Sequence, residues 1–300
     1  MNDRIPYDVV IVGAGAAGLS AAVLLARTKH RILIISLTAR RNSTAEVINN
    51  VPYAHGTRPT DVFAKMEADA KHYGAAFVWD AVDTARASAD SIELVTRGGA
   101  SYIGRRLLLA AGTVNEMPSW VPMEAWGKAV FDCPYCHTYE HDGAAFVSVG
   151  TGEEALKHAL LCQQYTKDLT TLVSDPDAAQ HEFADRLRMI GSRVFVDSVT
   201  SATVLDSGKL RLLTAKGREL IAGTVVLDFI IRPNQLLPRQ LGLELSPNGY
   251  PRATPFGKTS HPRVYSAGNN PGSPYFMWTG AACSGINAAR QICEDIAFGD

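Results

Sequence analysis

Cys133-Pro134-Tyr135-Cys136-His137 places two thiols three residues apart near the middle of a 300-residue chain. Thiols at this spacing close into a reversible disulfide, and beside a cofactor that moves two electrons such a pair performs dithiol/disulfide exchange. His137 directly follows the second cysteine and titrates near neutrality, which makes it the candidate proton carrier; a packing or surface histidine is the alternative reading. Zinc would need two further Cys or His ligands at matching spacing. His137 and His141 are close by, but no second ligand pair follows at a zinc-finger distance, so no metal is expected. The remaining cysteines, Cys162, Cys283 and Cys293, stand alone on predicted helices and read as packed thiols.

The elements that must position this pair alternate between strand and helix. Tyr7-Asp8-Val9-Val10-Ile11-Val12 is a short apolar run suited to a parallel strand buried on both faces. It leads into Gly13-Ala14-Gly15-Ala16-Ala17-Gly18 and a predicted helix over Leu19–Thr28, and the strand Arg31–Ile35 completes a βαβ unit. Glycines in that turn let backbone approach a pyrophosphate, and the helix start offers free N–H groups and the positive end of its dipole. The acidic residue expected at the end of the second strand to grip a ribose is replaced by Ser36. With Arg40 and Arg41 nearby, that stretch reads either as a pocket for a 2′-phosphate or as a solvated loop.

A second start lies at Gly143–Val149, followed by Gly150-Thr151-Gly152-Glu153-Glu154-Ala155, a helix over Leu156–Tyr165 and a strand over Leu169–Ser174. Beyond that strand the sequence reads Ser174-Asp175-Pro176-Asp177, without the arginines a 2′-phosphate would want. The second turn therefore reads as a structural relic that binds no NADPH, with NADH still open because Asp175 could accept from ribose hydroxyls. Val264–Asn269 predicts a late strand and turn, and Gly280–Ile296 a last helix. The aromatic cluster Tyr275, Phe276 and Trp278 reads equally as the lining of a cleft or as core. Pro-bearing stretches at Pro118–Pro122 and Leu236–Pro247 mark crossings, so the middle third is an insertion. The expectation is an α/β fold of two Rossmann-like, doubly wound three-layer domains: 1–117 with 243–300, and 118–242 carrying the CxxC pair.

A formal charge of −1 from 29 basic and 30 acidic residues offers no patch for nucleic acid and no polybasic membrane anchor. No apolar run approaches the length of a membrane span, and Met1-Asn2-Asp3-Arg4 leads straight into a core strand. A soluble, cytoplasmic protein is expected. Five cysteines do not make a secreted disulfide framework.

Taken together, the first Gly-rich turn, Leu108-Leu109-Ala110-Ala111-Gly112-Thr113, the central CxxC and Ser266-Ala267-Gly268-Asn269 resemble, in this order, the low-molecular-weight thioredoxin reductase-like flavoproteins. Cys133-Pro134-Tyr135-Cys136-His137-Thr138-Tyr139-Glu140 looks most like the branch of FAD-dependent dithiol oxidases that close disulfides in natural products of the gliotoxin, holomycin and romidepsin kind. That branch has histidine after the second cysteine where thioredoxin reductases usually carry aspartate. The resemblance implies FAD, with Gly13, Ala14, Gly15, Ala16, Ala17 and Gly18 at its pyrophosphate. It places Arg41, Asn42 and Asn49 along the flavin side and Val82 toward the adenine. Gly112 closes the dinucleotide fold, Gly268 and Asn269 lie at the ribityl phosphate side, and Ser36, Ala111 and Thr279 complete the cofactor set. Asn269 stands where the family usually has aspartate, and Met277 where glutamine is common.

The same resemblance implies catalysis by Cys133 as the outer sulfur, Cys136 as the sulfur nearest the flavin and His137 as proton carrier. The expected substrates are a small-molecule dithiol and dioxygen, with hydrogen peroxide formed, and the expected assembly is a homodimer. Two rivals stand: a reductase fed by NAD(P)H or ferredoxin that serves a thioredoxin-like protein, and a flavin-bearing redox sensor.

Overall fold

The computed structural model describes residues 5–269 and 277–299, so Tyr275 and Phe276 lie outside the described residues. The chain divides into two compact units, the first made of Met1–Arg41, Thr60–Val114 and Arg232–Asp300, the second of Asn42–Pro59 and Asn115–Ile231. Residues 42–59, left with the first domain by the sequence boundaries, thus group with the CxxC-bearing unit.

In the first unit the chain runs β1 (Tyr7–Val12), α1 (Ala16–Arg27), β2 (Ile32–Ser36), α2 (Pro59–His72) and β3 (Ala76–Trp79), then β4 (Val82–Ala87), β5 (Ile92–Thr96) and β6 (Ser101–Leu109). Strands β3, β2, β1 and β6 lie side by side in parallel register, with Val10 opposite Leu33 and Leu107. The unbroken apolar run of β1 follows from this placement. Val9 and Ile11 enter one core with Leu19, Leu25, Ile34 and Leu108, whereas Val10 and Val12 enter another with Leu33, Ile35 and Leu107. Each such side chain, essentially removed from water, contributes roughly 1.5–3 kcal/mol. Strands β4, β5 and β6 form an antiparallel meander instead of a further βαβ turn.

The chain crosses to the second unit within β7 (Thr113–Glu116). There β8 (Val130–Phe131), β9 (Phe146–Gly150), α3 (Glu153–Cys162), β10 (Leu169–Val173), α4 (Glu182–Met189) and β11 (Arg193–Val196) build a second parallel sheet. A three-stranded antiparallel sheet follows, β12 (Val199–Val204), β13 (Leu210–Thr214) and β14 (Glu219–Ala222), and then β15 (Thr224–Leu227) returns to the parallel sheet. Its strand order is β11-β10-β9-β15-β8. Here too strand residues divide between two cores, Phe146 and Val226 in one, Val147, Val149 and Val225 in the other.

The return passes through β16 (Ile230–Pro233) and α5 (Leu236–Gln240) to β17 (Val264–Ser266), which pairs in parallel with β6, and ends in α6 (Trp278–Phe298). Helices α1 and α6 pack closely because Gly285 lets α6 approach the backbone of Ala17; a Cβ there would lie 2.1 Å from the Ala17 carbonyl oxygen. Trp278 packs at a tilt on Phe63, 4.5 Å between ring centroids, and is partly buried against the core of the first unit. Among the described residues, no helix is long and apolar enough to cross a membrane, and no group of three or more His, Cys, Asp or Glu residues could hold a metal ion.

Candidate functional site

In the first unit the turn between β1 and α1 is fixed by backbone contacts. Gly13 donates to the Ile35 carbonyl at 2.9 Å and sits at φ 110°, and a Cβ there would lie 2.3 Å from the Ala110 carbonyl oxygen. Glycine alone fits both conditions. Gly18 is held as tightly, since a Cβ would lie 1.9 Å from the Gly13 oxygen. Gly15 differs: it caps α1 in extended backbone, and a Cβ there would meet nothing within 4 Å. No side chain caps this helix start and no acidic residue occupies its first turn of Ala16, Ala17 and Gly18. Open space in front of uncapped N–H donors at the positive end of a helix dipole suits a pyrophosphate.

Ser36 accepts from the Ala14 N–H at 3.0 Å and donates to the Leu37 carbonyl at 2.9 Å, tying the turn to the end of β2. Arg40 is not a solvated loop residue. Its Nε donates to the Ala14 carbonyl at 2.8 Å, its guanidinium pairs with Glu67, and it lies over the Phe63 ring at 4.4 Å. It braces the turn from behind. At the C-terminal ends of β6 and β17 a cleft is lined by Ala111, Gly112, Tyr250 and Asn269, among others. Beside it the Gly268 N–H donates to the Ser284 hydroxyl at 2.8 Å. Burial raises the Tyr250 phenol, opposed by the nearby charge of Arg41. Thr279 is exposed in the first turn of α6. Val82, expected toward the adenine, is a core residue only 8% exposed.

In the second unit Cys133 and Cys136 form a disulfide with their Cα atoms 5.5 Å apart. The turn between them is closed by the Cys136 N–H on the Cys133 carbonyl at 3.3 Å and by the buried Thr138 hydroxyl on the Pro134 carbonyl at 2.5 Å. The segment 42–59 grips it from outside. Asn49 gives both amide hydrogens to this loop, to the Cys136 carbonyl and to the Glu140 carboxylate, each at 2.9 Å. Asn50 donates to the Tyr135 carbonyl at 2.8 Å. Asn42, also in this segment, accepts from the Ala45 N–H at 3.2 Å. The amide nitrogen of Asn49, expected along the flavin, is thereby bonded to the CxxC loop. Sequence reasoning missed Asn50, since 85 residues separate it from its partner.

His137 stacks on Phe131 at 4.6 Å between centroids, and His141 lies against the same ring at 5.3 Å. Burial lowers the pKa of both imidazoles, opposed for each by the charge of Glu140. A neutral His137 is ready to accept a proton from a thiol. Cys162 is buried at the end of α3, where burial pushes its thiol up to about 12 and leaves it inert.

These shifts set a stability window. A histidine whose folded pKa is lowered binds protons more readily when unfolded, so stability is complete above the unfolded value of about 6.5 and declines as pH falls below it. His137, His141 and His158 all act in this sense, whereas Asp228, raised by burial, acts in the opposite one. Thermal melts are expected to show a falling midpoint from pH 7 to pH 5, with a shallower fall in His141→Phe.

The second Gly-rich turn differs from the first in its electrostatics. A Cβ at Gly150 would lie 2.9 Å from the Asp228 Oδ2, so that carboxyl lies against the turn. Glu153 and Glu154 occupy the first turn of α3, with Lys157 within 2.9 Å of both. The first turn of α3 thus carries two acidic residues, with a third carboxyl against Gly150, where the first turn of α1 carries none. The Asp175 carboxylate accepts from the Asp177 N–H at 3.0 Å.

The sequence matches the pyridine nucleotide-disulphide oxidoreductase family over residues 7–277. It is similar to thioredoxin reductase tcpT of Claviceps purpurea, 26% identical across 96% of this chain and 95% of that protein. It is 28% identical to thioredoxin reductase sirT of Leptosphaeria maculans across 95% and 93%. The solved structure of HlmI superposes with a TM-score of 0.89 and 28% identity, covering 99% of this chain and 95% of that one. A CxxC disulfide, an uncapped Gly-rich turn and a match spanning nearly the whole chain converge: this chain belongs to the pyridine nucleotide-disulphide oxidoreductase family, in its thioredoxin reductase-like group of FAD flavoproteins.

Proposed function

We propose that this chain is a dithiol oxidase that closes an intramolecular disulfide in a small molecule. The observation that carries this reading is the acidic second turn, with Asp228 against Gly150 and Glu153 and Glu154 opening α3. A carboxylate beside a phosphate repels it, so the acidic turn disfavours the dinucleotide that a reductase would take electrons from.

Gly13, Gly15, the N–H groups of Ala16 and Ala17, Gly112 and Asn269 would hold FAD. A substrate thiolate attacks the Cys133 sulfur and breaks the Cys133–Cys136 bond, giving a mixed disulfide and a Cys136 thiolate. His137 takes up the proton released by the substrate thiol. The second substrate thiol then attacks the sulfur bonded to Cys133, releasing the cyclic disulfide and the Cys133 thiol. Two thiols have become one disulfide; the CxxC pair has gained two electrons, and the two protons rest on Cys133 and His137. When bound, FAD supplies the two-electron acceptor that returns the pair to the disulfide, with dioxygen as final acceptor and hydrogen peroxide as product. Holding both substrate thiols at one disulfide turns ring closure into an intramolecular step.

The names of tcpT and sirT favour a second reading, a reductase running the other way. Anaerobic titration separates the two. Dithiothreitol is expected to bleach the flavin band, while NADPH and NADH in excess leave it unchanged; rapid bleaching by either nucleotide would replace the oxidase with the reductase.

A further inference from the structure

We propose that Tyr53, Tyr135 and Tyr139 form an aromatic rim beside the disulfide that selects neutral, ring-bearing dithiols over anionic ones, an inference that rests on the oxidase reading above. Tyrosine is ordinarily half-buried, yet Tyr135 is 62% exposed, Tyr139 78% and Tyr53 fully exposed. All three belong to the unit that carries the disulfide. Tyr135 lies between the two cysteines, and Tyr139 opens the short turn Tyr139–His141 just beyond them. Tyr53 belongs to a segment anchored to the same loop. It sits on a loop closed by the Ile48 N–H on the Thr57 carbonyl at 2.8 Å, and the amides of Asn49 and Asn50 bind that loop to the Cys136 and Tyr135 carbonyls. Tyr53 adopts φ 64°, a left-handed conformation that a bulky side chain seldom takes. Strain of this kind is found where surrounding structure fixes a side chain for a task, and here it holds a ring in solvent.

Charge narrows the occupant. Residues 132–142 carry Asp132, Glu140 and Asp142 and no lysine or arginine. Glu46 lies near enough to His141 for its charge to act there, and Glu140 acts on both imidazoles. In sequence, the nearest arginine to Tyr53 is Arg58, near the end of the 42–59 segment, and the nearest lysine to the CxxC pair is Lys128. A substrate presented to this surface meets flat apolar rings set among carboxylates. A carboxylate-bearing dithiol is repelled, whereas a neutral dithiol on an aromatic or flat scaffold stacks.

The holoenzyme is assayed for kcat/KM on three probes: benzene-1,2-dimethanethiol, which is aromatic and neutral, dithiothreitol, which is aliphatic and neutral, and meso-2,3-dimercaptosuccinate, which is anionic. The aromatic probe is expected to be preferred over dithiothreitol, and the anionic one to be the poorest. Taking each variant's preference for the aromatic probe over dithiothreitol relative to the wild type cancels the probes' intrinsic reactivities. Tyr53→Ala, Tyr135→Ala and Tyr139→Ala are each expected to lower that preference about 3- to 10-fold, the worth of one aromatic contact. Tyr73→Ala, on an exposed tyrosine of the first unit, should not move it. An unchanged preference in all three rim variants, or an anionic probe as good as the aromatic one, would overturn the rim while leaving the oxidase intact. If the wild type oxidises no probe at all, dithiothreitol included, the oxidase reading fails and takes the rim with it.

Discussion

Cys133→Ser and Cys136→Ser are each expected to lose dithiol turnover by about three orders of magnitude or more while the protein stays yellow. A hydroxyl in place of either sulfur leaves no disulfide for a substrate thiolate to attack, and an alcohol neither forms nor resolves a mixed disulfide under these conditions. The fold should tolerate the change. The disulfide closes a loop only three residues long in sequence separation, so the chain-entropy account gives it about 2 kcal/mol. The loop also keeps its other anchors, Asn49 and Asn50 from outside and Thr138 within. FAD retention depends on Gly13, Gly15 and their neighbours, which neither substitution touches. The measurement is oxygen consumption with dithiothreitol alongside the visible spectrum. Wild-type turnover in either variant would remove the pair from the reaction.

What could be read from the sequence was what local periodicity and local spacing encode. β1 and β2 are continuous apolar runs because their alternate residues enter two cores, and such runs followed by a Gly-rich turn have one common reading. Both turns were visible for that reason, and the CxxC pair needs nothing beyond its own spacing. The antiparallel meanders were not foreseen: β4–β6 and β12–β14 are short strands whose pairing partners follow at once, and they break an otherwise regular alternation of strand and helix.

The contacts that give each turn its character were also out of reach. Asp228 meets Gly150 only because β15 returns beside β9, and Asn49 meets Cys136 from 87 residues away. Arg40 illustrates the same limit from the other side. A charged residue after a strand reads as solvated until Glu67 and two aromatic rings are brought to it by the fold.

Gly13→Ala and Gly15→Ala, two substitutions of the same chemistry two residues apart, are expected to fail in different ways. At Gly13 the new methyl would lie 2.3 Å from a backbone oxygen in a conformation, φ 110°, that L-residues rarely adopt. Backbone cannot yield as a side-chain tip does, so the cost is about 3 kcal/mol or more, a fall of roughly 6–12 °C in melting midpoint for a chain of this size. At Gly15 the methyl enters open space from an extended backbone that alanine accepts, so the apoprotein should melt at or slightly above the wild-type temperature. That space is where the pyrophosphate would rest against the start of α1, and filling it should weaken FAD binding about 10- to 100-fold. Melting of the apoproteins separates the first effect, and FAD titration the second. A Gly15→Ala protein that binds FAD as tightly as the wild type would mean that the open space before α1 is not the phosphate cradle, whatever the loss of stability at Gly13.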